Sequence, residues 1–89
     1  MTDPYRLARG VRLRRQTGGE AMLLVPEGIV SLNETAAAAL ELADGSRSLD
    51  AIVDSLAERF EADRYELEGD VRALLDEFVD RGFLTHAPQ

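Results

Sequence analysis

The chain has no lysine, no cysteine and no tryptophan, and its single histidine, His86, stands two residues before Pro88 at the C-terminal end. Each absence excludes chemistry. Without lysine there is no P-loop cation for phosphates and no Schiff base with pyridoxal phosphate. Without cysteine there are no disulfides and no thiolate ligands. With one histidine, a zinc or iron site would have to be built from carboxylates, and no spacing of Asp or Glu suggests one. No cofactor is expected. Long apolar runs are missing too, so nothing approaches the roughly 20 residues that cross a bilayer. The start, Met1-Thr2-Asp3-Pro4, lacks the basic stretch and apolar core of a signal peptide. The expected location is the cytoplasm, with no membrane partner.

What is present is one ordinary globular domain's worth of chain. The 89 residues are 45% hydrophobic. A chain of this size buries roughly 60% of its unfolded surface, so one domain over residues 1–89 is expected, ordered from about 5 to 84. The net charge is −7, and it is unevenly spread. From Met1 to Val25, five arginines face two acids; from Pro26 to Gln89, five arginines face fifteen acids. Such a division is either a solvated surface or two faces offered to different partners.

The pattern of the first third is that of strands. Val11 to Gln16 alternates Val11 and Leu13 with Arg12 and Arg14, the period of a half-buried strand. Thr17-Gly18-Gly19-Glu20 predicts a hairpin turn. Ala21 to Val25 predicts a second strand, Val25-Pro26-Glu27-Gly28 another turn, and Gly28 to Leu32 a third strand.

The rest is helical. Asn33 is placed to cap a first helix, and Gly45 to follow its C-cap, with Ala36, Ala37, Leu40 and Ala43 on one face. Ser48 caps a second helix, whose Leu49, Ile52, Val53, Leu56, Ala57 and Phe60 share a face. Asp63 with Glu66 resembles a capping box. It opens a third helix with the stripe Leu67, Val71, Leu74, Leu75, Phe78 and Val79, stopped by Gly82. Phe83-Leu84 is expected to fold back onto the core. Gly69 inside the third helix costs roughly 1 kcal/mol relative to alanine. The order β-β-β-α-α-α predicts an α+β fold. A three-stranded antiparallel sheet is followed by three helices that cover one face, as in a winged helix-turn-helix-like module. Small meanders with short connections can exchange elements between chains, which makes a homodimer one expectation.

Three functions compete for such a module. A winged-helix fold suggests DNA, but the second and third helices are acidic. The third carries Glu66, Glu68, Asp70, Asp76, Glu77 and Asp80 against three arginines. A helix entering a major groove needs positive charge, so no nucleic acid partner is expected. Catalysis would rest on carboxylate pairs such as Asp76-Glu77, which point apart on a helix; the chain is not read as an enzyme. Peptide binding is the third. Gly28-Ile29-Val30-Ser31-Leu32 carries neither charge nor proline to blunt its edge, so a guest strand can add to it. The alternative is that this strand is core, with its edge covered by the third helix. The stripe of the third helix has more apolar residues than the short strands and neighbouring helices need, so part of it, around Val71, Leu74, Leu75 and Phe78, is expected to line a cleft and take apolar side chains of a peptide; the alternative is that all four are core.

Five segments together resemble the PqqD family, the small peptide chaperones of pyrroloquinoline quinone (PQQ) biosynthesis. They are Arg9-Gly10-Val11-Arg12-Leu13-Arg14, Leu23 to Gly28, Leu32-Asn33-Glu34-Thr35-Ala36, Asp44 to Ser48 and Arg81-Gly82-Phe83-Leu84. The stretch from Gln16 to Met22 lacks the aromatic that the family pattern places before Leu23. The resemblance implies that the leader of a ribosomally made, PqqA-like precursor peptide adds as a strand to Gly28–Leu32. It implies that the leader sits in a cleft beside the third helix, made of Gly28 to Leu32 and the stripe residues Leu67, Val71, Leu74, Leu75 and Phe78, and is presented to a PqqE-like radical S-adenosylmethionine enzyme. A recognition domain for a different modified peptide is the nearest alternative reading, and a DNA-binding regulator a distant one.

Overall fold

In the computed structural model, residues 4–16 and 20–86 are described. Five strands and three helices follow in the order β1 (Tyr5–Leu7), β2 (Arg12–Arg15), β3 (Ala21–Val25), β4 (Gly28–Leu32), α1 (Glu34–Leu42), α2 (Leu49–Phe60), α3 (Arg64–Asp80) and β5 (Leu84–His86). The α+β class and the three helices match expectation. The strand count does not. Beside the three-stranded sheet β2-β3-β4 there is a second sheet, β1-β5, joining the two ends of the chain.

The meander forms where alternation and turn residues placed it. β2 is shorter than the expected Val11–Gln16, because the Val11 N–H turns to the Ala8 carbonyl at 3.1 Å. Gly10, at φ 83, makes that turn. The expected hairpin turn at Thr17-Gly18-Gly19 lies outside the described residues. β3 pairs with both neighbours, with Leu23 opposite Leu13 on one side and Val30 on the other.

The second sheet clamps the N-terminal strand in place. β1 pairs antiparallel with β5 from Tyr5 opposite His86 to Leu7 opposite Leu84. The Ala8 N–H donates to the Phe83 carbonyl, and the Gly45 N–H to the Tyr5 carbonyl, at 2.9 and 2.8 Å. Gly45 therefore has a different task from the one its position suggested. The C-cap of α1 is Ala43, and Gly45 comes two residues later, at φ 89, where it holds β1.

Helix starts follow their caps. The Asn33 Oδ1 accepts from the Ala36 N–H at 2.7 Å, the Ser48 Oγ from Ala51 at 3.3 Å and the Asp63 Oδ1 from Tyr65 at 2.8 Å. α2 ends on Glu61 in the left-handed region, and α3 ends at Gly82, also at positive φ. Past that stop, the Phe83 N–H reaches back to the Phe78 carbonyl at 2.8 Å, and the two rings meet edge to face at 5.7 Å. Phe83 and Leu84 are buried, as expected.

α1 is the centre of the packing. Ala36 to Ala39 and Leu40 are all buried, because small side chains let sheet and helices approach this helix from several sides. Leu23 from the sheet, Ile52, Val53 and Leu56 from α2, and Val71 and Leu75 from α3 complete the core, and among the described residues no charged side chain is buried. Truncating a residue such as Leu75 to alanine costs about 2–5 kcal/mol.

Candidate functional site

β4 is an edge of the three-stranded sheet, and among the described residues no strand pairs with its outer side. Which of its backbone groups are open follows from register. Pro26-Glu27 is a two-residue loop with Val25 opposite Gly28. A pair closing so short a loop must be one that exchanges hydrogen bonds, and such pairs alternate with open pairs along the ladder. Gly28, Val30 and Leu32 therefore turn their N–H and C=O toward β3. Ile29 and Ser31 turn theirs outward.

The side chains alternate as well. Val30 and Leu32 are half-buried against the core. Ile29 and Ser31 face the solvent, and Ile29 is 65% exposed, an unusual position for a large aliphatic residue. The edge is thus short, uncharged and free of proline, with four main-chain groups available.

α3 contributes to two open depressions, one at the start of β4 and one just past the strand's end. At its C-terminal end, Arg81 and Phe83 line an open depression with Val25, Glu27, Gly28, Ile29 and Val30. Near its middle, Asp70, Val71 and Leu74 line a second with Asn33, Thr35 and Ala36. Asp70, Leu74 and Arg81 share a helical face, which brings a carboxylate and an aliphatic side chain to the second depression and a guanidinium to the first. Arg81 lies 3.6 Å from Glu77 and over the Phe83 ring at 4.8 Å, which holds the cation at the mouth of the first depression.

The expected site residues divide accordingly. Gly28, Ile29 and Ser31 are exposed, Val30 and Leu32 half-buried. Of the α3 stripe, Leu67, Val71, Leu75 and Phe78 are at most 8% exposed and pack in the core. Leu74 is half-buried and lines the second depression together with the buried Val71. Asp70, Arg81, Phe83 and Glu27 were not anticipated at the two depressions. The signal for Asp70 and Arg81 was their helical spacing from Leu74, one position to the side of the apolar stripe.

The described residues contain no group of three or more His, Asp or Glu that could hold a metal ion. No helix among them is long and apolar enough to cross a membrane.

Comparison with known proteins identifies the family. Residues 20–84 match the family model "Coenzyme PQQ synthesis protein D (PqqD)". A "PqqA binding protein" of Rhodopseudomonas palustris (strain TIE-1) is 43% identical over 82 residues, covering 91% of this chain and 80% of the relative. That of Methylococcus capsulatus (strain ATCC 33009 / NCIMB 11132 / Bath) is 44% identical over 63 residues, 71% of this chain and 66% of the relative. Among solved structures, the solution structure of the PqqD truncation of Methylobacterium extorquens PqqCD superposes with a TM-score of 0.79 at 32% identity. It covers 92% of this chain and 88% of that one, and it is described as a stand-alone recognition element for ribosomally synthesised, modified peptides. A lasso peptide synthetase B1 complexed with its leader peptide gives a TM-score of 0.75 at 25% identity, covering 91% and 96% of the two chains. With the family model spanning β3 to β5 and relatives matching nearly the whole length, this chain belongs to the PqqD family.

Proposed function

We propose that this chain binds the leader of a PqqA-like precursor peptide as an added strand on β4. It then presents that peptide to a radical S-adenosylmethionine enzyme of PQQ biosynthesis, with no catalysis of its own. The whole chain acts as a single recognition domain in the cytoplasm. Its arrangement is winged helix-turn-helix-like, with β2-β3-β4 as the wing. The observation that carries the reading is the open β4 edge, with the outward N–H and C=O of Ile29 and Ser31 beside exposed Ile29. Strand addition draws affinity from such main-chain bonds, and flanking pockets select side chains. The two depressions at the ends of β4 supply those pockets. Leu74 contacts the guest directly, while Leu67, Val71, Leu75 and Phe78 hold the helix that carries it. The names of the relatives and the leader-bound neighbour support the same reading.

Proline scanning of β4 tests it. Ile29→Pro removes an outward N–H, so the protein stays folded and binds the leader peptide roughly tenfold or more weakly. Val30→Pro removes an N–H bonded to β3, so its main effect is a lower melting temperature. Calorimetry showing full affinity in a folded Ile29→Pro variant would exclude pairing on this edge.

A further inference from the structure

The chain carries ten arginines. Six of them, Arg15, Arg47, Arg59, Arg64, Arg72 and Arg81, lie within ion-pair distance of a carboxylate. The other four, Arg6, Arg9, Arg12 and Arg14, have no carboxylate partner among the described residues, and all are exposed. In an acidic protein this is a selective segregation, since every arginine beyond Val25 is neutralised locally.

Register places two of these cations on one surface. Arg12 lies opposite Leu24, and Leu24 opposite Ile29; Arg14 lies opposite Met22, and Met22 opposite Ser31. Side chains in such rows share a face. That face is turned away from the core. It has an apolar centre of Met22, Leu24 and Ile29, and at the rim two guanidinium groups with no carboxylate partner among the described residues.

We propose that this outer sheet face docks an acidic patch with an apolar centre on the enzyme that receives the peptide. The proposal rests on the delivery role above. While the leader occupies the β4 edge, the acceptor must engage another surface. Charge complementarity favours an acidic protein face: guanidinium groups without a carboxylate partner among the described residues attract carboxylates, and the apolar centre suits a packed interface. A polyanion such as nucleic acid fits less well, because the molecule as a whole repels it. A guest strand on β4 would also extend each row by one residue. The acceptor then meets a face made jointly by protein and peptide, and binds the loaded protein more tightly than the free one. By reciprocity, the enzyme tightens the hold on the peptide by the same factor.

The test uses the full chain with Arg12→Glu and Arg14→Glu combined, titrated against the leader peptide and against the purified radical S-adenosylmethionine enzyme. The melting temperature should be unchanged and leader affinity should stay within about twofold, while enzyme affinity falls roughly tenfold or more and loses salt sensitivity. If charge reversal prevents folding, Arg12→Gln with Arg14→Gln must show a smaller loss of the same kind. Equal affinity of folded variant and wild type for the enzyme overturns the docking face and leaves the delivery role standing. A wild-type chain that ignores the leader overturns both. Loss of a wild-type affinity for duplex DNA in the same variants would overturn the proposal and reassign the face to nucleic acid.

Discussion

At the scale of single residues, Gly69 and Tyr5 make opposite cases. Gly69 sits inside α3 and faces solvent, and a Cβ built on it meets nothing within 4 Å. No turn or close approach requires glycine there. Gly69→Ala should therefore stabilise the fold by about 1 kcal/mol, raising the melting temperature by roughly 4–8 °C. A thermal melt without that rise would mean that α3 uses the glycine for something beyond the free fold. Tyr5, in contrast, is buried, and its hydroxyl points at the Asp76 Oδ1 from 3.5 Å. Burial, and then the nearby carboxylate, raise its pKa above the ordinary 10.0. The unfolded chain thus releases this proton first as pH rises. Tyr5 contributes stability that is whole below about pH 10 and declines above it. With neither lysine nor cysteine in the chain, little besides tyrosine ionises in that range. Between pH 8 and pH 11 the urea midpoint should fall more for wild type than for Tyr5→Phe; equal falls would refute the assignment.

At the scale of elements, the caps and the β3-β4 turn were legible because each is local chemistry within four residues. β1 and β5 were not. Three residues are too few for a period, and Tyr5 and His86 are at opposite ends of the chain, so nothing in either segment names the other. The α3 stripe was legible as a face, but a helical period cannot say whether that face meets core or groove. Leu74 lies where the two meet. Leu74→Ala should weaken leader binding roughly three- to tenfold with little change in melting temperature, since a half-buried side chain loses less packing. Leu75→Ala, with its side chain wholly buried, should lose about 2–5 kcal/mol of stability. Calorimetry and thermal melts on the two variants check this. If Leu74→Ala binds the leader normally, the peptide does not touch the middle of α3. Likewise, the outward groups of β4 could be assigned to Ile29 and Ser31 only once Val25 was known to face Gly28.

At the scale of the whole molecule, charge separates what the fold alone leaves open. A small antiparallel sheet with three helices is compatible with both DNA-binding and peptide-binding modules, and fold does not decide between them. Here the helices that would approach a duplex are the acidic ones. Arg64, the basic residue at the start of α3, is already engaged with Asp50, Asp54 and Glu68. Arg15 and Arg59 are likewise bound to Glu34, and Arg15 also to Glu41. Four arginines have no carboxylate partner among the described residues, all on β1, β2 and the turn between them. They could contact only a few phosphates, while the net charge of −7 repels the rest of the strand. The expected result of a gel-shift assay is therefore no complex with duplex DNA at physiological salt and micromolar protein. Lowering the salt should reveal at most weak, sequence-independent association through those arginines. A complex that survives physiological salt and prefers one sequence would require a base-reading element. Neither α2 nor α3 carries the unpaired cations such an element needs, so that result would overturn the peptide reading in favour of a regulator.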